Sequence, residues 1–296
     1  MRLAKLLTSA VVATSVLAAG IAAASADPVK FMMDWAWQGP QAFALVAKKK
    51  GYFEQEGVQI QLDRGFGSGR VPVELASGTY QMGFADINPT IKMLAEKPES
   101  GLVVVAVLYD ASPLVTIVKA GGAINTPKDL EGKKLAAPDF DSGRQLFPAF
   151  AKKAGFDASK VEFLSVKPEL REPMLVQGQA DGVTGFVTTS VQNLAKIGMP
   201  RDQQKIFYYK DFGANFYGSS IITTKKFAEE NPKAVAGVVR ALIRGLKDAM
   251  SNPDEAIAIL KETEALTDIA LEKERWLITR DELILTPKVK VSGLGV

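Results

Sequence analysis

Two of the three tryptophans, Trp35 and Trp37, stand two residues apart in Asp34-Trp35-Ala36-Trp37-Gln38-Gly39-Pro40. A strand is expected at 29–33, so this segment is the loop at its carboxyl end. Ligands of open α/β sheets gather at such ends. A tryptophan there offers a flat apolar face and one N–H donor, while Asp34 and Gln38 add polar groups that could orient what lies on it. A tryptophan can equally pack into the core. After the next expected strand comes Gly65-Phe66-Gly67-Ser68-Gly69-Arg70. A glycine-rich turn entering a helix exposes backbone N–H groups and favours an anionic or electron-rich atom, with Ser68 and Arg70 as candidate contacts. A plain β–α turn would look the same. A dinucleotide fingerprint would need glycine where Arg70 stands, and no Walker lysine-serine pair occurs. The remaining candidates follow later strands: Asp86, Tyr109, Ser142, Arg144 and Thr184, with Asn215 and Tyr217 beside a chain crossing. Asp86 and Ser142 have the alternative role of helix caps. Each is ordinary alone; their shared location, one set per strand end and drawn from both halves of the chain, is what suggests a cleft.

What is missing from the composition narrows the chemistry. The 296 residues contain no histidine and no cysteine. Serine and cysteine triads, histidine-ligated zinc and the two-histidine iron site are therefore excluded. An enzyme would have to use carboxylates, lysine, tyrosine or a serine–lysine pair. Residues 1–26 read as a secretory leader: Arg2 and Lys5, an apolar run from Leu6 to Ala23, then Ala24-Ser25-Ala26 with cleavage expected after Ala26. An uncleaved anchor is the alternative. Without cysteine an exported protein has no disulfides and no N-terminal lipid, which fits a free periplasmic protein. Loss of Arg2 and Lys5 leaves 34 basic against 33 acidic residues. That balance gives no reason to expect nucleic acid or an anionic membrane as partner.

The elements that must position these residues are doubled. Gly51-Tyr52-Phe53, Val58–Leu62, Leu75-Ala76-Ser77-Gly78 and Met82–Asp86 are answered about a hundred residues later. The second copy is Gly155-Phe156-Asp157, Val161–Leu164, Met174–Gly178 and Asp181–Phe186. Each copy reads as helix, glycine stop, short strand, helix, glycine stop, short strand. Strands alternating with helices at these lengths imply parallel-type sheets flanked by helices. The very apolar run 102–108 suits a strand covered on both faces. From Lys225 the pattern is helical, broken at Pro232 and at Asn252-Pro253. The expected division is a first lobe from 27–114 and 218–296, a second lobe from 115–217, hinges near 115 and 217, and a cleft between them.

The motifs Asp34-Trp35, Ala47-Lys48-Lys49-Lys50-Gly51-Tyr52-Phe53-Glu54-Gln55-Glu56-Gly57-Val58, Leu75–Asp86 and Asp129-Leu130-Glu131-Gly132-Lys133-Lys134-Leu135 recur in order over nearly the whole mature chain. They resemble the substrate-binding proteins of ABC transporters, in the superfamily of nitrate, sulfonate, taurine and thiamine-pyrimidine-precursor binders. The resemblance implies a two-lobed type II periplasmic binding fold, hinge closure on a small solute, and delivery to an inner-membrane permease. Pyrimidine-precursor binders tend to follow Asp-Trp with Pro-Asn and a nearby histidine, whereas Ala36-Trp37-Gln38-Gly39-Pro40 stands here. A fungal branch that makes the pyrimidine from its own histidine and bound iron is excluded by the absence of histidine. Sulfonate binders usually surround the anion with hydroxyls and arginine, for which Ser68, Ser142 and Arg144 would serve. Relatives commonly continue beyond the position of Val296, so the resemblance allows a truncation there.

The combined expectation is a monomeric periplasmic solute-binding protein, without catalysis, cofactor or metal. Its ligand would have a flat heterocyclic or aromatic body held by Trp35 or Trp37 and be oriented by Asp34, Asp86 and the Ser68 loop. An aliphatic sulfonate or taurine is the alternative ligand; an exported carboxylate-based enzyme and an extracytoplasmic sensor domain are the alternative classes.

Overall fold

A computed structural model describes residues 27–293. The expected leader and the cleavage expected after Ala26 lie outside the described residues. Among the described residues, ten strands form two five-stranded sheets. The first contains β1 (Val29–Met32), β2 (Ile60–Asp63), β3 (Met82–Asp86) and β4 (Leu102–Val107). The chain then crosses to β5 (Leu114–Lys119), β6 (Lys134–Ala137), β7 (Glu162–Ser165), β8 (Gly182–Phe186) and β9 (Gln204–Tyr208), and returns for β10 (Ser219–Thr224). The strand orders are β2-β1-β3-β10-β4 and β7-β6-β8-β5-β9. These are the same order twice, with one strand donated at each crossing.

The two sheets are mixed. β2, β1 and β3 run parallel, as do β7, β6 and β8. β10 runs antiparallel to β3 and β4, and β5 antiparallel to β8 and β9. The strand that enters from the other lobe arrives from the opposite direction, which local β–α spacing does not reveal. The apolar run at 102–108 also differs from its expected burial. β4 is an edge strand with one neighbour, and only Leu102 within it is buried.

The doubled phrase is physical. The helices of the first lobe are α1 (Ala42–Lys49), α2 (Tyr52–Gln55), α3 (Arg70–Ala76) and α4 (Ile87–Glu96); those of the second are α5 (Ser142–Ala154), α6 (Arg171–Val176) and α7 (Val187–Lys196). Gly51 and Gly155 end α1 and α5 with φ of 68° and 78°, and Gly78 and Gly178 follow α3 and α6 with φ of 80° and 72°. Only glycine adopts that left-handed conformation without a Cβ penalty. Lys48 and Lys49 lie in the last turn of α1 and complement its dipole.

The remaining helices, α8 (Lys225–Glu230), α9 (Pro232–Ser251), α10 (Pro253–Thr263), α11 (Ile269–Ile278) and α12 (Pro287–Ser292), follow the return crossing. α9 and α10 bury Val238, Leu242, Ile257 and Leu260 with Phe31, Phe43 and Phe84 of the first lobe. The second lobe packs Phe147, Phe150, Phe156 and Tyr209 on one face of its sheet, and Ile117, Leu175, Val183 and Leu194 on the other. The crossings themselves are bonded together: the Gly218 N–H donates to the Tyr109 carbonyl at 2.9 Å. A Cβ at Gly218 would stand 2.5 Å from the Ala111 carbonyl oxygen. Among the described residues no helix is long and apolar enough to cross a membrane.

Candidate functional site

The lobes meet at the carboxyl ends of β1, β3, β6 and β8. The Gly69 N–H donates across the gap to the Phe140 carbonyl at 3.0 Å, and the Ser142 hydroxyl donates to Asp86 Oδ1 at 2.9 Å. Gly67, with φ of 133°, lets the loops approach; a Cβ there would lie 2.5 Å from the Phe140 carbonyl oxygen. Between these contacts is a narrow cavity whose solvent-accessible volume is about 20 Å³. The first lobe contributes Asp34, Trp35, Gln41, Ser68 and Tyr109, with Pro40 and Gly67. The second lobe contributes Asp141, Ser142, Arg171, Phe186, Thr188 and Thr189.

The electrostatics are dominated by buried carboxylates. Burial pushes Asp34 up to about 7 against a hydrogen bond from Gln41 Nε2 at 2.9 Å. Burial likewise pushes Asp86 up to about 6, although Asn88 donates to it from its backbone and side chain and Ser142 from its hydroxyl. The second oxygen of Asp86 and the side-chain oxygen of Gln41 are buried without a hydrogen-bond partner. The lining's one arginine, Arg171, is largely committed: Nη1 donates to Asp141 Oδ2 at 3.2 Å and Nε to Glu172 Oε1 at 2.8 Å, while Nη2 is buried without a hydrogen-bond partner. Burial would pull Arg171 down, but Glu172 and Asp141 outweigh it and raise it. Its guanidinium lies 5.2 Å from the Trp35 ring centroid, which joins the lobes by a cation–π contact. Burial beside Asp34 holds the Tyr109 phenol well above its usual range, and its hydroxyl donates to the Pro40 carbonyl at 3.0 Å. The site thus offers acceptors, an aromatic face and a neutralised cation. Among the described residues no group of three or more carboxylates could hold a metal ion.

Of the thirteen residues singled out from sequence, Asp34, Trp35, Ser68, Tyr109 and Ser142 line the cavity. Asp86 stands directly behind Ser142, and it also caps α4 by accepting from the Asn88 N–H. Thr184 is fully buried and donates to Asp141 Oδ1 at 2.6 Å, so it positions a lining residue. The other six lie elsewhere. Trp37 packs against the first-lobe core. Gln38 precedes the short turn Gly39–Gln41 and does not line the cavity. Arg70 pairs with Glu74 at 2.6 Å and lies over Phe140, outside the cavity. Arg144 is drawn to Asp139 and Ser165 because α5 begins at Ser142, two residues earlier, and turns it away. Asn215 and Tyr217 are exposed on the crossing segment.

Gln41, Asp141, Arg171 and Thr189 were absent from that set. Gln41 and Thr189 look like ordinary helix residues and carry no signal. Asp141 is the cap of α5, accepting from the Arg144 N–H at 2.8 Å, a role the expectation had left to Ser142. Arg171 did have a signal. Arg171-Glu172-Pro173 repeats Arg70-Val71-Pro72 within the doubled phrase, so the arginine assigned to the first copy has a counterpart in the second.

The sequence model of the family described as NMT1/THI5 like matches residues 40–256. The formylaminopyrimidine-binding protein of Halalkalibacterium halodurans is 27% identical over 79% of this chain and 70% of its own length. The taurine-binding periplasmic protein of Escherichia coli is 25% identical over 79% and 71%. Among solved structures, the alkanesulfonate-binding protein SsuA of Xanthomonas axonopodis pv. citri, bound to MOPS, superposes with a TM-score of 0.66 at 18% identity, covering 90% of each chain. At that identity the likeness speaks for the fold.

Proposed function

From the premise that this chain belongs to the NMT1/THI5-like family, we propose that it is the periplasmic solute-binding component of an ABC importer. It captures a small, flat, nitrogen-rich heterocycle between its lobes and passes it to a membrane permease. The observation that carries the ligand class is the imbalance of the cavity. Asp34 and Gln41 present buried acceptors in the lining, Gln41 with an oxygen lacking any partner, and Asp86, behind Ser142, holds a second such oxygen. The lining's cation, Arg171, is compensated by Asp141 and Glu172. Unpartnered buried acceptors cost stability unless a ligand donates to them. A ring with amino or ring N–H groups does so and offers a face to Trp35. An alkanesulfonate would bring its acceptors to Asp34 and Gln41, with Arg171 Nη2 as the one buried side-chain nitrogen of the lining without a hydrogen-bond partner.

The alternative ligand, a sulfonate or taurine, draws support from the taurine-binding relative and from Arg171 Nη2, a buried nitrogen without a hydrogen-bond partner, but the charge of Arg171 is already paired with Asp141 and Glu172. Binding without turnover is part of the same reading and draws support from the binding proteins among the relatives. Closure follows from differential contact, because a ligand touching Asp34 and Trp35 on one side and Ser142 and Thr188 on the other does so only in the closed state.

The test is native mass spectrometry of the protein purified from its source cells, with identification of the small molecule released on denaturation. A co-purified amino heterocycle supports the proposal. A co-purified sulfonate, or chemical conversion of the bound molecule, overturns it.

A further inference from the structure

Helix α11 contributes no residue to the cavity lining, yet it grips both walls. On the first-lobe side, Glu272 Oε2 accepts from the Gly39 N–H at 2.7 Å in a buried contact. A Cβ at Gly39 would stand 2.1 Å from the Glu272 carbonyl oxygen and 3.0 Å from the Trp276 nitrogen. Gly39 opens the turn that carries Gln41, and Gln41 holds Asp34. The helix is fixed to this lobe by Trp276, which is fully buried and donates from Nε1 to the Ala249 carbonyl at 2.9 Å.

On the second-lobe side, one turn further along α11, Arg275 is 2% exposed and pairs with Glu272. Its Nη2 donates to Asn193 Oδ1 at 2.5 Å. Asn193 lies on α7, one turn after Thr189, and the first turn of α7 supplies Thr188 and Thr189 to the cavity. A continuous series of contacts therefore runs from Asp34 through Gln41, the Gly39 turn, Glu272 and Arg275 to Asn193 and α7. Lys196 and Asp268 add a looser ion pair at 3.8 Å between the same two helices.

We propose that α11 is a strap across the cleft, in which Glu272 and Arg275 are positioning residues and the Arg275–Asn193 hydrogen bond is made only when the lobes are closed. The strap aligns the ligand loop with α7 and stabilises the closed form without touching the ligand. A charged donor on a neutral acceptor at low exposure is a strong hydrogen bond. Glu272 is 7% exposed and has Arg275 as a partner on its own helix, whereas Asn193 belongs to the other lobe.

Asn193 is the residue to vary, because removing Arg275 would strand the buried Glu272 carboxylate and endanger the fold. The chain has no cysteine, so Lys97→Cys and Glu169→Cys, both at exposed positions, place one dye on each lobe of the full-length protein. Single-molecule energy transfer then reads the open and closed populations with no ligand present. Asn193→Ala is expected to lower the closed-to-open ratio by roughly tenfold, and Asn193→Asp to restore it, since a carboxylate accepts from Arg275 equally well. An unchanged distribution in Asn193→Ala overturns the strap. So does a shift that Asn193→Asp fails to reverse, because helix packing and not the Arg275 bond would then be responsible. The inference rests on the proposed function only in reading this cleft as the ligand site. In a second measurement, with 4-amino-2-methylpyrimidine as probe, dissociation from Asn193→Ala should be roughly tenfold faster. Failure of that probe to bind the unaltered protein counts against the ligand class and leaves the dye measurement to decide the strap.

Discussion

Ser142 and Asp86 come from opposite lobes, and the Ser142 hydroxyl donates to Asp86 Oδ1 at 2.9 Å where neither side chain is exposed to solvent. The contact ties the N-terminus of α5 to the cap of α4. Asp86 keeps two donors from Asn88 in its own lobe, so opening the cleft costs it the Ser142 bond and returns it to water. Ser142→Ala should leave both lobes folded, because the bond joins lobes and does not build either. It should weaken ligand binding by about 1–2 kcal/mol, roughly tenfold or somewhat more. Ser142→Trp fills the cavity and should abolish binding with little change in the thermal unfolding of the ligand-free protein. Titration calorimetry beside a melting curve separates the two effects; undiminished affinity in Ser142→Trp would place the ligand elsewhere.

Trp35 is the aromatic wall of the cavity and the partner of Arg171 across the gap, at 5.2 Å from its guanidinium. Trp35→Ala should weaken a flat ligand by about 2 kcal/mol through lost stacking and lost closure. Trp35→Phe should recover most of that. Trp37→Ala acts differently: its ring packs against the first-lobe core, so the expected cost is in melting temperature, with the affinity of the folded protein close to unchanged. Equal affinity losses from the two tryptophans would contradict this division.

How far these features could be read beforehand depends on where their causes lie. The glycine stops, the helix caps and the alternation of strand and helix are local, and Gly51, Gly78, Gly155 and Gly178 take the left-handed conformations that the doubled phrase implies. The direction of β5 and β10 is not local, since it is set by the chain crossing between lobes. Trp35 and Trp37 illustrate the same limit at the site. Their spacing places them on different sides of a loop, and only the packing of α9 and α10 decides which side is core. Arg144 and Asp141 changed roles for a reason of a few residues: α5 starts at Ser142, so the carboxylate before it caps and the arginine after it is carried out to Asp139.

Asp34 gives the protein a pH dependence of definite sign. Burial raises its folded value to about 7, well above the ordinary carboxylate value near ~4 of an unfolded chain. Between these values the native state holds a proton that the unfolded chain has released. This group's contribution to stability is therefore fully present below about pH 4 and is lost as the pH rises through 7. Asp34→Asn removes the dependence, so the stability of the native protein relative to this variant should fall between pH 4.5 and 8 in denaturant titrations. The ligand adds a second sign. A ring N–H donated to Asp34 favours the carboxylate, so binding near pH 7 should release a proton. Calorimetry in buffers of different ionisation enthalpy would detect that release in the native protein and not in Asp34→Asn. Proton uptake on binding would contradict a donor ligand.

The repeated arginines provide the sharpest contrast between copies. Arg70 opens α3 and Arg171 opens its counterpart α6, each two residues ahead of a proline, Pro72 and Pro173. Arg70 pairs with Glu74 on an exposed surface, its side chain 45% exposed. Arg171 is 2% exposed and compensates Asp141 and Glu172, themselves 4% and 3% exposed. Removing a cation from water and removing one from a buried cluster are different operations. Arg70→Met should cost about 0–1 kcal/mol. Arg171→Met strands two buried carboxylates and should cost about 3–5 kcal/mol. It also withdraws the cation–π contact to Trp35, so affinity should fall in whatever protein remains folded. Denaturant midpoints of the two variants decide it, and equal costs for the two arginines would mean that the buried cluster is not held by Arg171.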